Sequence, residues 1–130
     1  MDKLSMNKSL FDKTIHLLER SLDLNTFRHK VLSGNVANVE TPNYAAKDIS
    51  FQRALERSLQ QTIGVSLQKT HPDHLAEDLN TELEMISKDG INIDEEMAKL
   101  AENNLMFQAG VQALLKKLEA LKVTIIEGGK

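Results

Sequence analysis

The C-terminal third of the chain carries an unbroken apolar rhythm. Ile93, Met97, Leu100, Asn104, Phe107, Val111, Leu114, Leu118, Leu121 and Ile125 stand alternately four and three residues apart, and only Asn104 is polar. A repeat averaging 3.5 residues keeps one stripe of a helix against a partner helix and implies left-handed supercoiling. Asp94, Glu95 and Glu96 open this segment, while Lys116, Lys117 and Lys122 come late, an order that suits the helix dipole. Asp94 is read as the N-cap and Gly128-Gly129 as the stop. At about 1.5 Å rise per residue the helix would run roughly 50 Å, too long to be buried inside a compact domain of this chain length. Asn104 is either a register pin, as a lone Asn in an apolar seam often is, or a partly solvated position.

The N-terminal third has a matching, weaker seam. Phe11, Ile15, Leu18, Leu22, Asn25, His29, Leu32, Val36 and Val39 keep the same alternation, interrupted by Asn25 and His29. The fold class expected is therefore mainly α, with long N- and C-terminal helices paired as a coiled coil, antiparallel or nearly so. Leu17, Leu24, Phe27 and Val31 lie off the seam. They pack either on the middle of the chain or on neighbouring subunits; the short middle favours the neighbours.

Asn38 is the expected end of the first helix. Thr41-Pro42-Asn43-Tyr44 reads as a tight turn, with Pro42 fixing φ at its second position and Asn43 tolerating the left-handed φ at its third. Tyr44 then folds back on the helix with its ring buried and its hydroxyl wet. Gly34 softens the end of the first helix. Ser50 to Gln61 reads as a short helix with Phe51, Leu55 and Leu59 on one stripe. Gly64 to Gln68 alternates like a strand, Thr70 to His74 is a turn, and Glu82 to Ile93 holds the hairpin dipeptide Asp89-Gly90. A small central helix-plus-hairpin region results. The expected division is 1–40 for the N-terminal helix, 41–92 for the turn and small outer region, and 93–130 for the C-terminal helix.

Composition supports helix seams over a rounded core: of 130 residues 41% are hydrophobic but only 4% aromatic, with no Trp. A net charge of −3 gives no electrostatic reason to expect nucleic acid or an anionic membrane. Without cysteine, disulfides, CxxC redox chemistry and Cys-based zinc sites are excluded. The N-terminus is charged throughout and does not read as a Sec-type signal, and no stretch is apolar enough to span a bilayer. His71-x-x-His74 with Asp73 lacks a third ligand at any usual zinc spacing and reads as a polar turn. Asp89-Gly90 with Glu96 fails the calcium-loop register, because position 1 would be Met85. Asp94-Glu95-Glu96 reads as dipole compensation, not as a catalytic carboxylate pair. No P-loop, GxGxxG or nucleophile motif is present. No catalytic residue, metal site, cofactor or small-molecule substrate is expected.

Asn35-Val36-Ala37-Asn38 followed by Thr41-Pro42-Asn43-Tyr44 resembles the signature of the flagellar rod and hook axial proteins, N-x-A-N-x-x-T-P-G-Y. The short length, Thr70-His71-Pro72-Asp73-His74-Leu75 and Met97 to Leu105 are similar to the proximal-rod members of that family, and Phe107-Gln108-Ala109 matches an aromatic-Gln-Ala step there. Asn43 stands where Gly is commoner, which the turn tolerates. The resemblance covers essentially the whole chain. A coiled-coil adaptor would explain the seams but not Asn35 to Tyr44.

The resemblance implies a structural subunit that self-assembles helically, is exported by the flagellar type III apparatus without a cleaved signal, and sits in the periplasmic rod. The implied partners are copies of itself, other rod proteins, the ring-rod adaptor protein and the membrane ring protein. In this family the terminal regions are often disordered in free subunits and form the inner core on assembly. The residues expected to matter are therefore at interfaces. Asn35, Ala37, Asn38, Thr41, Pro42, Asn43 and Tyr44 form the helix-to-loop corner. The assembly seam takes Phe11, Ile15, Leu18, Leu22, Leu32, Val36, Met97, Leu100, Asn104, Phe107, Val111, Leu114, Leu118 and Leu121.

Overall fold

A computed structural model of the chain describes residues 2–64, 83–87 and 90–129. Helix α1 spans Lys3–Ala37 and ends at Asn38, whose backbone N–H returns to Gly34 and Asn35. It passes through Gly34 without a break, so the softening expected there does not occur. Strand β1 (Ala46–Ile49), helix α2 (Phe51–Gly64) and strand β2 (Leu83–Ser87) follow, and helix α3 (Ile93–Gly128) closes the chain. With 36 residues, α3 is roughly 54 Å long. It runs antiparallel to α1: Glu96 meets Asn35 near one end, and Lys117 meets Phe11 near the other.

The start of α3 differs from the expectation. Asn92 is the N-cap, its Oδ1 accepting from the Asp94 and Glu95 backbone N–H groups. Asp94 is already inside the helix, where Asn92 satisfies its otherwise orphaned N–H. At the other end Gly128 is still helical and Gly129 has a φ of −86°, so the helix stops without a left-handed glycine. No basic residue stands in the last turn.

The small sheet is also not the expected hairpin. β1 pairs antiparallel with β2, Lys47 opposite Met85 and Ile49 opposite Leu83, so the two strands bracket α2. β1 was not foreseen, because Ala-Lys-Asp-Ile carries almost no strand preference of its own. A two-stranded sheet is marginal alone, and bonds to α1 hold this one, as described below. The strand expected at Gly64 to Gln68 falls mostly outside the described residues, as do Thr70 to His74 and Asp89. Gly64 itself ends α2, and Gly90 has a φ of +101°, the left-handed region that suits glycine.

The core lies where α1 crosses β1 and α2. Leu24, Ile49 and Ala54 are buried together, with Phe27, Phe51 and Leu55 packed around them. Leu24 and Phe27 thus pack on the middle of the chain and not on a neighbour, which corrects the reading favoured above. Leu17 does stay open, at 38% exposed.

Candidate assembly interface

The first part of the site is the corner. Asn35 is fully buried on α1 and forms a two-way bridge to β1: its Nδ2 donates to the Lys47 carbonyl at 2.6 Å, and its Oδ1 accepts from the Lys47 N–H at 3.0 Å. The second Nδ2 proton goes to Glu96 Oε2 at 2.8 Å, so one amide ties α1, β1 and α3 together. Asn38 Nδ2 donates to the Gly34 carbonyl at 2.8 Å and closes the last turn of α1. Thr41 donates its hydroxyl to Asn38 Oδ1 at 3.1 Å and its N–H to the Asn38 carbonyl at 3.0 Å. Pro42 and Asn43 then reverse the chain, with Asn43 at a φ of +60° and the Tyr44 N–H reaching the Thr41 carbonyl at 3.4 Å. Tyr44 is half-buried, its hydroxyl 3.7 Å from where a Cβ on Gly34 would stand. Ala37 is exposed.

Arg28, two helical turns before Asn35, holds the other end of β1. It donates to both carboxylate oxygens of Asp48, at 2.9 and 3.0 Å, and the pair is nearly buried. Such a fork-to-fork pair fixes orientation as well as distance. Asp48 raises the proton affinity of the Arg28 guanidinium, outweighing the opposing effect of burial. Burial likewise works against the Lys99 ammonium, but its bond to Glu96 at 3.1 Å and the neighbouring carboxylates leave its pKa raised. Glu96 was read as dipole compensation; the structure gives it Asn35 and Lys99 as partners and buries it to 3%.

Along α3 the residues that meet α1 recur every seven: Glu96 on Asn35, Asn103 on Asn25, Gly110 on Leu22, and Lys117 over the Phe11 ring at 5.2 Å. Asn103 Nδ2 donates to the Asn25 carbonyl at 2.8 Å. A Cβ on Gly110 would lie 2.9 Å from Leu22 Cδ2, so glycine permits the close approach there. Leu100, Phe107, Leu114 and Leu121, four of the expected seam residues, are half-buried beside this column.

The other expected column is turned outward. Ile93, Met97, Leu118 and Ile125 are 45, 52, 45 and 66% exposed, Asn104 is exposed, and Val111 is half-buried. The amide buried in the seam is therefore Asn103, not Asn104. A helix turns about 100° per residue, and α3 is rotated so that Glu96 and Asn103 find partners on α1, with Leu100, Phe107, Leu114 and Leu121 beside them, while the column of Met97, Leu118 and Ile125 faces away. On α1, Phe11, Ile15, Leu18, Leu22 and Val36 are half-buried and Asn25 and Leu32 buried, whereas His29 is exposed, as is Val39 in the turn beyond the helix. Sequence reasoning missed Arg28, Asp48, Asn103 and Gly110. Asn25 was seen as an interruption, and an antiparallel partner would have pointed from it to Asn103.

Among the described residues no helix is long and apolar enough to cross a membrane, and no group of three or more His, Cys, Asp or Glu side chains could hold a metal ion. His71 and His74 lie outside those residues. What the arrangement offers is a helical pair with an uncovered apolar face. Those features define a class of proteins, mainly helical subunits built on two long paired helices with an apolar face left exposed.

Relatives make that class specific. The chain is 35% identical over 94% of its length to the flagellar basal body rod protein FlgB of Bacillus subtilis, of which it covers 99%. It is 29% identical to the proteins of the same name from Salmonella typhimurium and Escherichia coli, over 91% of this chain and 96% of theirs. No family model matches. The chain belongs to the FlgB family of flagellar basal body rod proteins.

Proposed function

We propose that the chain is a structural subunit of the proximal rod, that it assembles helically with copies of itself and with other rod proteins, and that it catalyses no reaction. α1 and α3 form the axial core, and residues 41–92 form a small outer region. The observation that carries this reading is the apolar face left bare on the helical pair, where Met97, Leu118 and Ile125 lie in line on α3. Monomers seldom leave such a stripe uncovered, and assembly gives it a partner. Long helices packed on one another also supply the stiffness needed to transmit torque from the membrane ring. The ring-rod adaptor and membrane ring protein are the neighbours at the base. The subunit reaches the periplasm through the flagellar type III apparatus with no signal cleaved. Deleting the gene in its host is expected to abolish swimming and to leave basal bodies without rods by electron microscopy. Normal rods and normal swimming, with no paralogue to compensate, would favour an adaptor role instead.

A further inference from the structure

The outward side of α3 reads the same from both ends. Its central column is Met97, Asn104, Val111 and Leu118, spaced by sevens. Set antiparallel against a second α3, this column puts Met97 opposite Leu118 and Asn104 opposite Val111, around a centre near Phe107 and Gln108. The same register places Leu100 opposite Leu114 and Phe107 beside its own copy on one flank. On the other flank Ala101 meets Leu115. One register thus serves all three columns. These positions are open: Met97, Leu115 and Leu118 are 52, 54 and 45% exposed, and Leu100, Phe107, Val111 and Leu114 are only half-buried. α1 packs on the side that carries Glu96, Asn103 and Gly110, about 100° round the helix, which leaves room for a second helix. Charge selects the direction. Asp94 opens the Ala101 flank and Lys122 closes it, both exposed. An antiparallel partner sets Asp94 of each copy beside Lys122 of the other, at both ends of the contact. A parallel partner would set Asp94 on Asp94 and Lys122 on Lys122, and like charges repel.

We propose that this side of α3 is the contact surface of a two-fold homodimer, in which two copies of the chain pack antiparallel along the Met97–Leu118 column over roughly 45 Å of helix. The apolar register and the charges at its two ends are both self-complementary, which is what a second copy requires and an unrelated partner does not. A two-fold contact closes on itself and does not propagate. The dimer is therefore an alternative to the helical assembly proposed above, and it covers the same column once the free subunit exceeds the dissociation constant. Asn104, the one polar residue of the column, lies opposite Val111 and weakens the contact, which keeps it reversible. The dimer stands on the geometry of α3; only its competition with the rod rests on the rod-subunit reading.

The test uses the full-length protein, which has no cysteine of its own. Sedimentation is expected to show a monomer–dimer equilibrium. Asp94→Lys or Lys122→Glu alone is expected to weaken it about tenfold, and the two together to restore the wild-type affinity. Asn104→Leu is expected to tighten it about tenfold. Thermal melts establish that each variant is folded. Spin labels on Gln112→Cys and Glu119→Cys, at exposed positions beside the contact, then read the direction. In the antiparallel dimer the two labels of a pair stand roughly 13 Å apart along the axis at 112 and roughly 34 Å apart at 119. Equal distances at the two positions, a charge swap that fails to restore affinity, growth past a dimer, or a wild type monomeric to its solubility limit would overturn the proposal. Rodless basal bodies in the deletion strain alongside any of those results would remove the dimer only, whereas normal rods would remove the reading on which its competition rests.

Discussion

The two halves of the α1–α3 pair are built differently. In the half holding Asn25 to Ala37 and Glu96 to Asn103, the helices are clamped by Asn35–Glu96 and Asn103–Asn25, and β1 and α2 cover the outside. Every buried residue among those described belongs to this half, to the segments packed on it, or, for Leu24, to the α1 position just before it: Leu24, Asn25, Leu32, Asn35, Ala46, Asp48, Ile49, Ala54, Glu96 and Asn103. In the other half, α1 before Leu22 and α3 after Asn104 pack on each other with no buried residue among those described, and Leu59 of α2 lines a cavity along α1 with residues from Ser5 to Leu17. That half carries ten of the thirteen large hydrophobic residues exposed among those described: Met6, Leu10, Leu17, Leu105, Met106, Leu115, Leu118, Val123, Ile125 and Ile126. The clamped half holds the side-chain bonds that join α1, β1 and α3, while the bare half keeps apolar surface open on more than one side. The difference separates a part held by its own side-chain bonds from a part that, on the function proposed above, assembly would finish.

Substitutions in the two halves are expected to separate folding from assembly. The largest effect belongs to Leu118→Asp with Ile125→Asp in the bare half. Swimming and rod formation are expected to be lost, while the melting of the isolated subunit changes little, because both side chains are exposed in the monomer. A large drop in monomer stability would show that the stripe is covered within the chain. Next comes Leu32→Ala in the clamped half, where the side chain is wholly buried. Urea unfolding is expected to show a loss of about 2–5 kcal/mol, with assembly affected only through the reduced amount of folded subunit.

Asn35→Leu follows, because it removes the partner of Glu96 Oε2, leaving that carboxylate only Lys99 on Oε1, and the partner of both backbone polar groups of Lys47. Each group buried without its partner costs about 1–3 kcal/mol. Amide exchange is expected to accelerate first in β1. Unchanged exchange there would mean that Arg28–Asp48 and the pairing with β2 hold the strand without Asn35. The smallest effect is Gly110→Ala at the junction of the halves. The new methyl meets only the end of the Leu22 side chain, which can swing, and the helix gains up to about 1 kcal/mol from losing a glycine. The net change is expected to stay within about 1 kcal/mol, and a larger loss would mean that Leu22 has no room to move.

The bare half was the more legible of the two in the sequence. Its apolar residues keep the 4-3 rhythm, and the long paired helices follow from that rhythm alone. The turn at Pro42-Asn43 was legible because φ constraints are local. The clamped half was harder, because its order depends on pairs far apart in the chain: Arg28 with Asp48, Asn35 with Lys47 and Glu96, Asn25 with Asn103. A hydropathy pattern scores such residues as interruptions. It therefore rotated α3 toward its most apolar stripe and took Asn104 for the seam residue that Asn103 occupies. β1 stayed invisible for the same reason, since its bonds to α1 make it a strand and its composition does not.

The central claim is that assembly completes the bare half. Amide hydrogen exchange, compared between the free subunit and purified basal bodies, tests it most directly. In the free subunit, protection is expected at Asn25 to Ala37 and Glu96 to Asn103 and to fall away toward both chain ends. On assembly, α1 before Leu22 and α3 after Asn104 are expected to become as protected as the clamped half. Uniform protection along both helices in the free subunit, or fast exchange at the chain ends in the assembled rod, would contradict the account.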